Sequence, residues 1–153
     1  MGRILLLLVA CECFLSFPSV FAEQPGTVEF LNSGKVPSAN LPFSEAVRVD
    51  HMLYLSGQIG IAPGTRKLAP GGLKEEARQT MENIKRSLEA QGYTMRDLVK
   101  CTVMLADISE WAAFNEVYNT FFSGQYPARS ALGVNGLVLG ARVEVECIAA
   151  ASH

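Results

Sequence analysis

The sequence has little of what most nucleophilic or metal-binding sites require. It contains two histidines, His51 and His153, and four cysteines, with no Cys-x-x-Cys pair. Neither histidine has a partner at a metal-ligand spacing, so we expect no metal site built on His or Cys. A Ser-His-Asp or Cys-His nucleophile system is not expected either.

Charge of one sign is also scarce. The 153 residues carry 13 Lys and Arg against 15 Asp and Glu, which gives a formal net charge of −2. A chain-wide basic surface is therefore missing, and we expect no nucleic-acid partner. The chain has no internal repeat, low-complexity tract or long charge run. Its length suits one domain with one sizeable core.

Long apolar runs are confined to the N-terminus. Arg3 precedes an apolar segment that ends at Ala22, and the polar Glu23 follows. A positive start, an apolar segment and small residues before a polar one are typical of a secretory signal peptide. Glu12 and Pro18 interrupt the segment, which argues against an uncleaved membrane anchor.

These features predict a signal peptide at residues 1–22 that is cleaved after Ala22, and one domain at residues 23–153. We therefore expect a periplasmic or secreted protein with no stable membrane insertion after cleavage. A lipoprotein is the alternative, because the residues before Cys11 resemble a lipobox.

Only Cys101 and Cys147 remain in the predicted mature chain. Two cysteines allow one disulfide at most, so the domain is not a disulfide scaffold. Both occupy positions that look apolar, and we expect two buried thiols. A disulfide between them is the other possibility in an oxidising compartment.

The mature chain alternates between strand and helix patterns. Two β-prone runs, Ala46–Val49 and Met52–Leu55, flank Asp50-His51, which predicts a two-residue hairpin. An apolar stripe predicts a helix over Leu73–Gln91. Next come a strand at Val99–Leu105 and a second helix at Trp111–Phe122, which a capping box at Asp107–Glu110 opens. Two more strands follow, at Ser130–Val134 and Arg142–Ala150.

This order of elements predicts an α+β fold with one β-sheet and two helices packed on one of its faces. The other sheet face has no helix to cover it. The residues expected on this uncovered face are Tyr54, Thr102, Met104, Glu144 and Glu146. Because the set is partly apolar, it indicates an interface between copies of the chain.

Two acidic residues on the last strand need an explanation. Glu144 and Glu146 are two positions apart, so they point to the same face and repel each other. One interpretation is a solvated face on which Arg142 screens them. The other is a binding site in which Arg129, at the start of the preceding strand, binds a carboxylate bidentately. Arg129 could instead form a structural ion pair with one of the glutamates.

Five segments, in order along the chain, resemble the reactive-intermediate imine deaminase family, also called RidA or YjgF. They are LSGQI at Leu55–Ile59, ARQTMENIK at Ala77–Lys85, FNEVYNTFF at Phe114–Phe122, YPARS at Tyr126–Ser130 and VEVECIA at Val143–Ala149. The resemblance implies a chorismate-mutase-like fold and a homotrimer with ligand clefts between subunits. It implies hydrolysis of small 2-imino acids, such as 2-iminopropanoate and 2-iminobutanoate, to 2-oxo acids and ammonia, without cofactor or metal.

The same resemblance assigns roles to individual residues. Arg129 would hold the substrate carboxylate, and Glu144 would position or activate the attacking water. Ser56 and Asn115 would help to shape the cleft. From their positions alone, Ser56 would be interpreted as a turn residue at a strand end and Asn115 as a polar residue on an exposed helix face. Gly57 is expected to supply backbone freedom.

The chain departs from the family pattern at four positions. Phe43 stands where many members have Tyr, and Ala131 stands where many have Cys; both are expected to line the substrate site. Asn135 replaces the usual small or basic residue, and Val138 stands where Pro is common. These departures leave open a non-catalytic, carboxylate-binding or protein-protective trimer. The endoribonuclease activity attributed to some relatives suits an acidic, exported chain poorly.

Overall fold

One mixed six-stranded sheet carries two helices on a single face in the computed structural model of the protein. The structure describes residues 26–34 and 41–151, so the predicted signal peptide and its cleavage site lie outside the described residues. The strands and helices are β1 (Val28–Leu31), β2 (Ala46–Val49), β3 (Met52–Ile59), α1 (Leu73–Ala90), β4 (Leu98–Leu105), α2 (Trp111–Tyr118), β5 (Ala128–Gly133) and β6 (Val143–Ala150). The predicted α+β architecture is confirmed.

The last strand lies in the middle of the sheet. The strand order is β1-β2-β3-β6-β4-β5, with β4 and β5 parallel and every other pair antiparallel. Strand β6 therefore sits between β3 and β4, while β5 forms an edge. This topology places Glu144 at the centre of the sheet and Arg129 at its margin.

The core lies between the sheet and the two helices. Alternate residues of the central strands point to the helices, because successive side chains in a strand face opposite sides. The fully buried side chains include Leu53, Val103 and Val145 of the sheet, Met81, Ile84 and Leu88 of α1, and Phe114 and Tyr118 of α2. Helix α1 ends at Ala90, where Gly92 adopts a φ of 83° that favours glycine.

Three local predictions need correction. Strand β1 was not predicted, because its four residues are mostly exposed and carry no alternating pattern. In β4 a register shift between Leu98 and Lys100 buries Leu98 and leaves Val99 44% exposed, so the predicted alternation is wrong at its first position. Helix α2 ends at Tyr118 and continues as a 3-10 turn rather than as an α-helix to Phe122.

The predicted capping box before α2 is only half formed. The Oδ1 atom of Asp107 accepts a hydrogen bond of 2.9 Å from the backbone N–H of Ser109. Glu110 does not bond back to the Asp107 backbone, because its carboxylate pairs with Arg142. Among the described residues, no helix is long and apolar enough to cross a membrane.

The expectation of two buried thiols is wrong. Cys101 of β4 and Cys147 of β6 are both buried, as predicted, but they face each other directly in the register and their sulfurs are bonded. Sequence periodicity placed both residues on the buried face, but it could not place them opposite each other.

We expect peptide mapping to find this disulfide in protein folded under oxidising conditions. Trypsin should release residues 101–129 and 143–153 as one linked species that separates on reduction. Because the bond closes a loop of 46 residues, reduction should lower the free energy of unfolding by about 2–4 kcal/mol. Two unlinked peptides from the oxidised protein would contradict the pairing.

Candidate functional site

Glu144 lies near the start of β6, on the sheet face that the helices leave uncovered. Its neighbours across the sheet are Ile59 of β3 and Met104 of β4, and its own side chain is half-buried. The register between β3 and β6 shifts between Leu55 and Gln58, which forms a bulge beside the carboxylate. Bulges of this kind redirect the backbone locally, and here the bulge carries Gly57.

Gly57 leaves the room that the Glu144 carboxylate occupies. A Cβ atom on Gly57 would overlap Oε1 of Glu144 and would lie 2.9 Å from its Cδ. Gly57 is not among the glycines with positive φ, so the expectation that it supplies backbone freedom is wrong. The site needs the absence of a side chain at this position.

A cavity of about 230 Å³ opens beside Glu144. Its walls come from β3, from the segment before β2 and from the 3-10 turn Val138–Gly140. The apolar part of the lining comes from Leu41, Phe43, Ile59, Ile61 and Val138, and the polar part from Glu45, Gln58, Asn83 and Glu144. The cavity is therefore a largely apolar recess that has Glu144 in its wall.

Phe43 and Ser56 contribute to this recess in different ways. Phe43 lines it directly and is 50% exposed. Ser56 donates its hydroxyl proton to the carbonyl oxygen of Ser44 at 2.7 Å, and its backbone N–H donates to the carbonyl of Glu45. Ser56 thus ties the segment that carries Phe43 to β3.

The pKa of Glu144 is raised above its ordinary value. Burial of the carboxylate is the larger cause, and repulsion from Glu146 on the same face adds to it. Arg142 does not screen the pair, because it points to Glu110 instead. A carboxyl group with a raised pKa in a half-buried recess is a candidate for proton transfer.

Two buried polar residues that sequence analysis missed, Glu45 and Asn83, also line the recess. The Glu45 carboxylate accepts hydrogen bonds from Ser33 and, at 2.6 Å, from the hydroxyl of Ser87 on α1. Asn83 of α1 donates to the carbonyl oxygens of Ile59 and Ile61, at 3.1 Å each. The one available signal for Asn83 was a polar residue beside the apolar stripe of α1.

Arg129 lies on the opposite face of the sheet, against α2. Its Cζ atom is 4.3 Å from the ring centroids of both Trp111 and Tyr118. Its Nη2 donates a hydrogen bond of 2.8 Å to Oδ1 of Asn115. Asn115, predicted as a site residue, is therefore a direct partner of Arg129. Ala131 lines the same open concavity as Arg129 and Trp111.

No carboxylate pairs with Arg129 in the part of the chain that the structure describes. Its Nη1 is buried and finds no hydrogen-bond partner. The alternative of a structural ion pair with Glu144 or Glu146 is therefore wrong. An unpaired guanidinium held at the wall of a concavity is a candidate anion-binding group.

A single chain does not bring Arg129 and Glu144 together. In the sheet register Arg129 of β5 lies opposite Cys101 of β4, and Glu144 of β6 lies opposite Met104 of β4. Strand β4 therefore lies between the strands that carry Arg129 and Glu144. Strand spacing and rise put their Cα atoms roughly 14 Å apart, with the side chains on opposite faces. Across residues 26–34 and 41–151, no three His, Cys, Asp or Glu side chains form a group that could hold a metal ion.

The fold and these two candidate groups define a single-sheet α+β domain with a carboxylate-lined recess on one face and an unpaired arginine on the other. The chain belongs to the Endoribonuclease L-PSP family, the RidA/YjgF family, which it matches over residues 33–151.

Relatives and solved structures agree with this assignment. The chain is 44% identical over 119 residues to a mouse protein named 2-iminobutanoate/2-iminopropanoate deaminase, covering 78% of this chain and 88% of the relative. It is 42% identical over 119 residues to a human protein of the same name, covering 78% and 87%. The crystal structure of RidA from a Psychrobacter species is 41% identical, with a TM-score of 0.76 over 80% of this chain and 99% of that one.

Proposed function

We propose that this protein hydrolyses small 2-imino acids, such as 2-iminopropanoate and 2-iminobutanoate, to 2-oxo acids and ammonia. The observation that carries the proposal is its 42–45% identity, over most of the chain, to proteins named for this activity. The unpaired Arg129 and the carboxyl group of Glu144 supply the two functions that the reaction requires.

The chemistry needs a positioned substrate and a directed water molecule. Arg129 would hold the substrate carboxylate, and the adjacent protonated imine carbon is already electrophilic. Glu144 would accept a proton from the attacking water and then return it to the amino group of the resulting aminoalcohol, so that the C–N bond breaks, ammonia leaves and the hydroxyl loses its proton to give the 2-oxo acid. No covalent enzyme intermediate is required, which agrees with the absence of a nucleophile triad in the sequence.

The two groups can act on one substrate only if separate copies of the chain supply them. Because they point to opposite faces of one sheet, we propose a homotrimer in which Arg129 of one copy faces Glu144 of the next. The uncovered sheet face supports this assembly, since one row across it, through Phe30, Val47, Tyr54 and Ile148, is apolar. Phe30 is 73% exposed and Tyr54 43% in the isolated chain.

Subunit mixing tests this arrangement. Arg129→Ala and Glu144→Gln variants should each be inactive alone, yet refolding them together should restore activity. Random mixing in equal amounts leaves about one quarter of the clefts with both native groups. Light scattering should give about three times the mass of the single purified chain. No recovery on mixing, with trimers formed, would contradict a shared cleft.

The activity itself is tested by generating 2-iminobutanoate with an amino-acid oxidase and following imine loss. We expect the protein to accelerate loss above the rate without protein. The competing function is a trimer that binds carboxylate ligands or protects proteins without turnover, and it is favoured by Phe43, which offers no hydroxyl where many members have Tyr. Binding of a 2-oxo acid without acceleration of imine loss would support that alternative.

Gly57→Ala is expected to lower kcat at least tenfold with little loss of stability. The added Cβ overlaps the carboxylate end of Glu144, a side chain that can swing away at small energetic cost but then leaves its position. Steady-state kinetics and thermal unfolding measure the two effects separately.

Gly60→Ala is the matched comparison. There the new Cβ would lie 2.6 Å from the backbone carbonyl oxygen of Glu76 in α1, which cannot move alone. The main effect of Gly60→Ala should therefore be a lower melting temperature, whereas the main effect of Gly57→Ala should be a lower kcat. Equal kcat for Gly57→Ala and the native protein would show that the position of Glu144 is not critical.

We also propose export, with cleavage of residues 1–22 after Ala22 and a periplasmic or secreted mature protein. The Cys101–Cys147 disulfide supports this location, since such bonds persist mainly in oxidising compartments. N-terminal sequencing of protein from a secreting host should begin at Glu23. A lipid-modified product that begins at Cys11 would establish the lipoprotein alternative instead.

A further inference from the structure

Trp111 is the single tryptophan of the chain and the first residue of α2. Its side chain is half-buried, and its ring centroid lies 4.3 Å from Cζ of Arg129. This distance is well within the range of a cation–π contact, and tryptophan provides the strongest such contact of the aromatic residues. Trp111 has no part in the chemical steps of the proposed reaction.

One face of α2 supplies the closest ring contacts of the guanidinium and its hydrogen bond to Asn115. Trp111, Asn115 and Tyr118 are four and three residues apart, so they lie side by side along the helix. Trp111 and Tyr118 contact Arg129 through their rings, and Asn115 accepts a hydrogen bond from Nη2. The guanidinium is thus held in a fixed place by groups that carry no negative charge.

The choice of uncharged partners matters for binding an anion. A carboxylate beside Arg129 would fix it equally well, but it would also neutralise the charge and compete with a bound acid. Aromatic faces attract the cation without occupying its remaining N–H donors in the ring plane. Trp111 and Arg129 line one concavity together with Ile108 and Ala131, so the Arg129 side chain borders a space that a ligand can enter.

We propose that Trp111 is a positioning residue, whose ring holds the Arg129 guanidinium in the orientation that receives the substrate carboxylate. The inference rests on the proposed function, because it takes Arg129 as the carboxylate-binding group. Loss of the aromatic face would leave Arg129 present but free to rotate, so substrate binding should weaken while the chemical step continues.

Two substitutions separate the aromatic contact from simple packing. Trp111→Leu keeps an apolar side chain but has no ring face, and it should raise KM for 2-iminobutanoate about tenfold with kcat within about twofold. Trp111→Phe keeps a ring face and should recover most of the loss. Thermal unfolding of both variants should stay within a few degrees of the native protein, which would show that neither effect reflects unfolding.

A binding measurement keeps this test independent of turnover. Titration with 2-oxobutanoate should change the fluorescence of the native protein, because Trp111 is its only tryptophan and lies against the binding group. Calorimetry should give about tenfold weaker binding to Trp111→Leu and near-native binding to Trp111→Phe. Native binding without imine hydrolysis would overturn the proposed function but leave this inference standing.

The inference itself would be overturned by either of two results. Native KM and native 2-oxobutanoate affinity in Trp111→Leu would show that the ring does not hold Arg129 for the ligand. Equal losses in the Leu and Phe variants would show that the indole acts by its size alone, and that its aromatic face is not what positions the guanidinium.

Discussion

Arg129→Ala is expected to lower kcat/KM for 2-iminobutanoate by about 100- to 10,000-fold. A guanidinium binds a carboxylate through two charge-assisted hydrogen bonds, each contributing about 1.5–3 kcal/mol. The variant removes both donors and leaves the substrate without an anchor in the cleft. Arg129→Lys keeps the charge but loses the planar fork, so it should fall between the native protein and the alanine variant.

Arg142→Ala is the matched control for this loss. Arg142 is also an arginine close to the sheet, but it is exposed and its guanidinium pairs with Glu110. Its backbone N–H, which donates to Glu76, remains in the variant. Arg142→Ala should keep a nearly native kcat/KM. An equal loss in both variants would show that activity depends on the overall positive charge of the protein rather than on Arg129 as a specific binding group.

Glu144→Gln is expected to lower kcat by about 100- to 10,000-fold, the range typical for removal of a general base. Glutamine has nearly the same shape but cannot accept a proton from water. The same variant should be at least as stable as the native protein at pH 8. A fall in kcat with unchanged KM, in protein with an undiminished melting temperature, would identify loss of the chemical step.

The stability half of this prediction follows from the raised pKa of Glu144. Burial and the nearby Glu146 raise the pKa of Glu144, so its carboxyl group holds a proton more tightly in the folded chain than in the unfolded chain. The free energy of unfolding therefore falls as pH rises from the ordinary pKa to the raised one. Above that interval the charged carboxylate costs stability, and glutamine carries no such cost.

Glu146→Gln is the matched control, since it removes an acid from the same face two residues away. It should keep most of the activity and lower the pKa of Glu144, because one of the two causes of the shift is gone. The acid limb of the pH–rate profile should then move to lower pH. An unmoved limb would show that a group other than Glu144 controls it.

The sequence by itself determined the elements and their faces. Hydrophobic periodicity is a local property, so it identified α1, most of the strands and the shared face of Glu144 and Glu146. It also showed that one sheet face lacks a helix to cover it. The composition, with two histidines and little net charge, pointed away from metal and nucleophile chemistry.

Only the tertiary structure decided how distant residues meet. Which residues face each other across strands depends on register, and register is fixed by long-range pairing and by bulges that a periodic pattern does not show. For that reason the Cys101–Cys147 bond, the close fit of Glu144 over Gly57 and the contact of Trp111 with Arg129 emerged only from the folded chain. The same register places Arg129 and Glu144 on opposite faces, which is the reason we propose that a second copy of the chain completes the site.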